Sequence, residues 1–297
     1  MRNPIVRATV ATAAVLAVLS LASVPAAGQD EQAPQARAPR PPAGPVHRLP
    51  DGKPDLLGTW RPSATGSGQA PLSTNIIEAH GAAFGVEAAP SSIIDPPDGI
   101  IPYQPWALAE RNRRREPGNS YEDPQGKCFL PGIPHNLTGG FRIVRQTPKI
   151  IIMDRTAGTL RSIFMDGRPH LPDRIRLWMG DSLGHWEGDT LVIESTNFNG
   201  RTWIVIGGDF TGADAKVTER LTVVDANTIN WTATVDDPEV FTRPWTMVAS
   251  GSPTVREQRE TPPMTEDWNS ENSCHEGNVD LVHTKGAYDL YKARSKK

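Results

Sequence analysis

Residues 217–235 read Val217-Thr218-Glu219-Arg220-Leu221-Thr222-Val223-Val224-Asp225-Ala226-Asn227-Thr228-Ile229-Asn230-Trp231-Thr232-Ala233-Thr234-Val235. Ile229, Trp231, Ala233 and Val235 alternate with Thr228, Asn230, Thr232 and Thr234, so one face is apolar and the other polar. That period of two marks a half-buried antiparallel strand. Val217, Leu221 and Val223 alternate in the same way with Thr218, Arg220 and Thr222. Asp225-Ala226-Asn227 between them is a short polar connection of the kind a hairpin uses. Two strands and a hairpin are therefore expected.

The pattern extends upstream. From Phe141 onward the period is two, with strands expected over Lys149 to Arg155, Thr159 to Asp166, Arg174 to Met179, Leu183 to Trp186 and Thr190 to Phe198. Trp245 to Ser250 is expected to follow as the last. Ala157-Gly158 and Glu187-Gly188-Asp189 are turn signals, and Gly184 suggests a bulge beside Trp186. The expected fold class is mainly β: an antiparallel meander closed into a calycin-like β-barrel or folded into a sandwich, since closure removes exposed edges. One helix on the N-terminal side is expected over Pro102 to Pro117, with Pro105 in its first turn and Pro117-Gly118 ending it. Arg111, Arg113, Arg114 and Arg115 make its end basic, which suits the helix dipole or an anion contact.

The chain opens with Arg2 and Arg7 and no acid, then runs uncharged from Ala8 to Val24. This is the layout of a cleavable signal peptide, with a small-residue cleavage pattern at Val24-Pro25-Ala26. Thr9, Thr12, Ser20 and Ser23 dilute the run below what a permanent span needs. The expected organisation is a signal peptide over 1–26, a Pro-rich tether over 27–50 and one β-rich domain over 51–297. Within that domain come an irregular and helical lead-in (51–140), the meander (141–250) and a C-terminal segment (251–297). The protein is expected to be periplasmic or secreted, with no stable membrane span after cleavage. A formal net charge of −3, with no dominant basic stripe, argues against nucleic-acid binding. The two cysteines, Cys128 and Cys274, are expected to pair in an oxidising compartment.

Several stretches resemble a family of secreted bacterial proteins: Asp51 to Trp60 (DGKPDLLGTW), Cys128 to His135 (CFLPGIPH), Phe164 to His170 (FMDGRPH), Gly180 to Thr196 (GDSLGHWEGDTLVIEST) and Val217 to Trp245, which ends VDDPEVFTRPW. The resemblance implies export and a shared fold. It carries over no catalytic residue, because the motifs are not tied to a chemistry. Gly58-Thr59-Trp60 is also similar to the Gly-x-Trp that opens lipocalin-like barrels, which implies a barrel with a ligand cavity.

The polar residues that attract attention lie at strand ends. Asp166, Arg168 and His170 form one group, and Asp181, His185, Glu187 and Asp189 form another. His170 or His185 with Asp166 or Asp181 makes a candidate acid–base pair, because imidazole titrates near neutrality and a carboxylate can orient it. His135, His170 and His185 are the imidazoles a metal would use, although no His-x-His or His-x-x-x-His occurs and no metal site or cofactor is indicated. Ser182 sits in a literal Gly-x-Ser-x-Gly, but a nucleophile elbow needs a following helix and a hairpin is expected here. Glu219 falls on the apolar face of its strand, where it either meets a ligand or holds a buried arginine such as Arg161 or Arg243. Arg168, Trp186, Glu219, Trp231 and Trp245 are the candidate ligand-binding residues. Trp178 and Trp203 join them among tryptophans that either fill a core or line a pocket. The expected function is binding of a small, partly apolar ligand; the alternative is an extracytoplasmic enzyme, a hydrolase, lyase or isomerase working by His/carboxylate acid–base chemistry, with or without the help of a metal.

Overall fold

A computed structural model describes residues 44–60, 77–79, 91–116, 119–138, 141–154, 159–205, 207–226 and 228–248. All of them belong to one compact unit, Ala43–Lys297. In chain order the elements are β1 (Gly58–Trp60), β2 (Ile93–Asp95), α1 (Pro105–Arg115), the single turn α2 (His135–Thr138), β3 (Phe141–Arg145), β4 (Ile150–Asp154), β5 (Leu160–Phe164), β6 (Asp181–Glu187), β7 (Thr190–Thr196), β8 (Lys216–Asp225), β9 (Thr228–Asp236) and β10 (Trp245–Val248). Short 3-10 turns at Asn119–Glu122 and Pro124–Lys127 follow α1.

The strands form a ten-stranded sheet in the order β1-β3-β4-β5-β6-β7-β8-β9-β10-β2. The decisive hairpin is there: β8 and β9 pair from Lys216↔Asp236 to Asp225↔Thr228. Two features differ from a closed antiparallel meander. The pairings run from β1 to β2 without joining these end strands among the described residues. In addition, β5 and β6 are parallel, with Ile163 opposite Ser182. Parallel neighbours need a long return connection, and residues 165–180 provide it. That explains why Arg174 to Met179, despite its alternation, is no strand and makes only an isolated bridge, Leu177 to Phe198. The return is anchored from the side, through Ile175 of this stretch and two residues before it. Asn197 Nδ2 donates to the carbonyls of Leu171 (3.0 Å), Pro172 (3.2 Å) and Ile175 (3.1 Å).

The hairpin at Glu187-Gly188-Asp189-Thr190 closes with Glu187 opposite Thr190. Gly188 takes φ +59 there, at the first loop position, where a tight hairpin favours glycine. No bulge accompanies Gly184, since β6 and β7 stay in register from Asp181↔Thr196 to Glu187↔Thr190. Gly184 instead gives room to side chains of β5 and its C-terminal flank: an added Cβ would lie 2.6 Å from Met165 Sδ and 2.8 Å from Ile163 Cγ2. Arg48, assigned to the tether on composition, is fixed to that hairpin through both oxygens of Asp189, each at 2.8 Å. Ala157-Gly158 lies outside the described residues, as do 1–43, 249–297 and hence Cys274.

The alternating apolar side chains form one core. Leu191, Ile193, Val217, Leu221, Trp231 and Val235 are buried, and they join Leu56, Trp60, Ala107, Phe198 and Phe241 in a single cluster. A polar row crosses this apolar face. Arg161 on β5 lies across the small side chains of β6 and β7, donating from Nε to Ser182 (3.0 Å) and from Nη2 to Ser195 (2.9 Å). It ends on Glu219 of β8 at 2.5 Å. The Trp231 indole on β9 donates to the other oxygen of Glu219 at 3.3 Å. Arg161 and Glu219 side chains are 2 % and 0 % exposed. Ser182 is thus a spacer under a guanidinium, inside a strand rather than at an elbow.

Removing one partner of a buried ion pair strands the other without compensation, at roughly 3–5 kcal/mol, whereas replacing both with apolar groups is far cheaper. Glu219→Leu should therefore lower the unfolding free energy of the mature chain by about 3 kcal/mol or more in urea titrations, and Arg161→Met with Glu219→Leu should recover most of it. A single-variant loss below about 1 kcal/mol would show that the row does not constrain the sheet.

Candidate functional site

The helix α1 begins at Pro105, whose missing N–H costs nothing in a first turn. Its basic residues divide between two faces. Arg111 and Arg115, four apart, turn inward. Arg111 donates to Glu78 at 2.7 Å, and Arg115 Nη2 donates to both oxygens of Asp209 at 3.2 and 2.9 Å. The Tyr103 hydroxyl donates to Asp209 at 2.9 Å. Burial raises the Asp209 pKa, against the pull of Arg115 and Tyr103. The same burial, together with Asp209, raises that of Tyr103 well above the usual phenol. Half of the basic cluster is thus a buried clamp that docks the helix onto the β7–β8 connection.

Arg113 turns outward, and Arg114 lies on the flank between the two faces, against aromatic rings. Arg113 is bidentate to Glu110 (2.8 and 2.9 Å) and to Glu122 (3.0 and 2.7 Å). Hydrogen bonds from Arg113 hold the Glu110 carboxyl down at about 2. Arg114 donates from Nε to Glu110 at 2.8 Å. Its guanidinium lies 4.0 Å from the Phe210 ring centre and 5.3 Å from that of Trp203. The β7–β8 connection can come this close because Gly208 has no side chain: a Cβ there would sit 2.7 Å from Arg114 Cβ.

Around Arg114 the surface opens into two adjoining cavities. One, of about 330 Å³, is walled by Arg114, Glu122, Lys127, Trp178, Arg201 and Trp203, with Phe129 at its rim. The other, of about 790 Å³, lies between Trp106, Arg113 and Arg114 of the helix and Asn199, Phe210 and Glu239 opposite. Arg114 and Gly200 belong to both. Trp178 stacks on Phe129 with ring centres 4.6 Å apart and planes at 13°. Trp178 comes from the β5–β6 return, Phe129 from the segment before α2, Trp203 and Phe210 from the β7–β8 connection. With Glu239 from the β9–β10 connection, the cleft is assembled from four irregular segments and one helix. Both volumes lie within the span of small-molecule pockets.

Apart from Trp178 and Trp203, which line the smaller cavity, the candidates read from sequence fall elsewhere. Glu219, Trp231 and Trp245 are in the core, at 0 %, 1 % and 0 % exposed, and line neither cavity. Arg168, His170 and Asp181 come together at the start of β6. Arg168 is bidentate to Asp181 (3.0 and 2.5 Å), Leu171 N–H donates to it at 3.1 Å, and His170 Nδ1 lies 3.2 Å from Oδ2. Burial works against the Asp181 carboxylate, but Arg168, Leu171 and His170 outweigh it and hold its pKa below the ordinary range. Asp166 is exposed and only accepts the Arg168 N–H at 3.4 Å.

His185 pairs instead with Glu187 at 3.2 Å, and Glu187 also meets Arg220 at 2.6 Å. The Glu194 pKa is lowered by Lys216, through its hydrogen bond and its charge, with the two histidines adding least. Trp186 is half-buried against the core, below Lys53. His135 is remote from both: burial drives its pKa down to about 4 beside the Trp203 backbone. Among the described residues no group of three His, Cys, Asp or Glu stands where it could hold a metal ion.

No family model, curated protein or solved structure matches this chain. Two sequence signals did bear on the cleft, the basic helix end and Trp178 with Trp203. Phe129, Phe210, Gly200 and Arg201 carried no signal of their own, because only the packing of distant loops brings them together.

Asp123 adjoins the smaller cavity and caps the second 3-10 turn through the Gln125 N–H at 2.9 Å. Burial raises its carboxyl to about 6, against Gln125, Lys127 and Arg114. A raised carboxyl means the folded chain binds its proton more tightly than the unfolded chain. That contribution is fully present below about pH 4 and is lost as pH rises through 6. Asp123→Asn keeps the cap without the charge. It should be more stable than the parent at pH 8 by about 1–2 kcal/mol, the gap closing toward pH 4. A gap that stays constant with pH would contradict this in paired urea titrations.

Proposed function

We propose that the protein is exported, loses residues 1–26, and binds a small, partly apolar ligand in the cleft between α1 and the β7–β8 connection. The observation that carries this is the set of rings around Arg114: Trp178 stacked on Phe129 at the smaller opening, the largely buried Trp203 lining the same opening, and Phe210 under the Arg114 guanidinium on the larger side. Aromatic walls with a few placed polar groups are the usual make-up of such sites. The signal-peptide pattern and the resemblance to secreted bacterial proteins support the location. Among the described residues no helix is long and apolar enough to cross a membrane.

The finer fold belongs to the same proposal. Inner-face side chains from β3 to β10 are buried although the described residues hold no second sheet, which supports a calycin-like sheet curled around its own core. A Cys128–Cys274 bridge would tie the C-terminal segment to the residues beside Phe129, at the rim of the cleft.

The test is tryptophan fluorescence of the mature chain titrated with small aromatic and apolar compounds. Trp178→Ala should weaken whichever compounds bind by about three- to tenfold, the worth of an aromatic contact. Its melting temperature should change little, because Trp178 is half-exposed. Trp186→Ala should leave binding as it was. Silence across a broad panel would sink the reading.

A second reading, an extracytoplasmic enzyme using His170, is favoured by one observation. Asp181 is held ionised and so accepts only, which makes His170 Nδ1 the nitrogen that carries the proton. Nε2 is then the basic atom, as a general base requires. Long-range proton–nitrogen spectra at pH 8 should show the Nδ1–H tautomer for His170 and lose it in Asp181→Asn. A dominant Nε2–H form would remove the base from this reading.

A further inference from the structure

Four arginines stand within five positions on α1, and three of them give at least one terminal nitrogen to a carboxylate. Arg111 gives Nη1 to Glu78, Arg113 gives both Nη atoms to Glu110 and Glu122, and Arg115 gives its Nη atoms to Glu78 and Asp209. Arg114 differs. Only its Nε has a hydrogen-bond acceptor among the described residues, Glu110 at 2.8 Å. Its side chain is 18 % exposed, and it sits on the wall common to both cavities. The guanidinium is held against the rings of Phe210 and Trp203. Its Nη edge, with a parallel pair of N–H donors, is what remains for a ligand. That edge matches a planar oxyanion in bidentate fashion.

The charge around it sorts the two cavities. The smaller has Arg114, Lys127 and Arg201 against Glu122, and Glu122 is already bidentate with Arg113. Asp123, next to it, is nine-tenths or more buried and spends its carboxylate on the Gln125 N–H. The larger cavity balances Arg113 and Arg114 against Glu110 and Glu239. An anionic group is therefore favoured on the smaller side, where the walls are also the most aromatic, with Trp178, Trp203 and the Phe129 rim. At about 330 Å³ that side lies at the lower end of small-molecule pockets.

We infer that the cleft takes an aromatic carboxylate, its carboxylate bound end-on by Nη1 and Nη2 of Arg114 and its ring against Trp178 and Trp203. This rests on the ligand-binding reading of the cleft and names the ligand's class. Arg201, exposed at the mouth with no ion-pair partner among the described residues, adds a second positive charge to the entry path. Arg114 is the specificity residue, since an uncharged isostere leaves its Nη edge unmatched.

The experiment is calorimetric titration of the full mature chain with benzoate, phenylacetate and indole-3-acetate, with their primary amides, and with inorganic phosphate. At least one acid should bind about tenfold or more tighter than its amide, the worth of hydrogen bonds to a charged group. It should also bind tighter than phosphate. Arg114→Met, checked for an unchanged circular-dichroism spectrum, should bring acid and amide to within about twofold of each other. The acid-to-amide ratio on the unaltered protein needs no variant, so the inference stands or falls even where Arg114→Met does not fold. Amides that bind as well as acids overturn the inference and leave the cleft reading in place. Phosphate binding as tightly as the acids also overturns it, making the site one for bare anions. So does an acid preference that survives in folded Arg114→Met. Binding by none of these compounds overturns the inference, and the cleft reading is then decided by the broad fluorescence panel.

Discussion

The Arg161–Glu219 row is the constraint to which the sheet is built. A guanidinium and a carboxylate cannot lie in an apolar interior unless each oxygen and N–H finds a partner, because desolvating an isolated charge costs far more than folding can supply. The sheet meets that demand with particular residues at particular places. Serines stand at 182 and 195, small enough for the Arg161 side chain to lie flat over β6 and β7, and their hydroxyls accept its hydrogen bonds. An indole stands at 231, able to donate to the second oxygen of Glu219. A slip of one residue in any of these strands would turn its member of the row to the outer face. The row therefore ties the registers of β5 to β9 together, including the parallel step between β5 and β6.

That parallel step has consequences for the surface. The chain must run back along the sheet between Phe164 and Asp181, and this return carries both Trp178, stacked on Phe129, and the Arg168–His170 turn on Asp181. The β7–β8 connection is similarly long but far more buried, held by Asn197 at its start and by Asp209 under α1. Both connections are irregular, and their backbone polar groups are met by turn bonds and by side chains such as Asn197 rather than by a ladder. The cleft is the gap left where these two connections and α1 meet.

Ionic groups are used differently in the interior, on the outer face and in the cleft. In the interior, Glu219, Asp209, Arg111 and Arg161 occur only in close hydrogen-bonded sets. On the outer face, His185–Glu187–Arg220 and Lys216–Glu194 are half-exposed pairs, the kind that contribute little to stability. At the cleft Arg114 has its ring contacts and one Nε bond, and its terminal edge faces solvent. Positioning a cation this firmly while leaving its donors open is what preorganised recognition of an anion requires.

The period-two alternation of 217–235, and of most segments from Phe141 onward, determined strands, hairpins and an inner face, because burial on one side of a pleated strand writes itself directly into residue type. The helix over Pro105–Arg115 was legible for a similar reason, from Pro at its start and a run of helix-forming residues. Glu219 was legible as an anomaly on an apolar face, and Arg161 as one of two arginines able to answer it. The alternation of Arg174 to Met179 misled, since the same pattern suits a chain whose carbonyls are captured by Asn197, and only the parallel pairing of β5 and β6 explains that choice. His170 and Asp181 meet because they flank one turn. Trp178, Trp203, Phe210 and Arg114 come from segments far apart in the chain. Local sequence determines local periodicity and turn chemistry; the cleft was decided by which irregular segments pack against which, and that depends on long-range contacts no single stretch encodes.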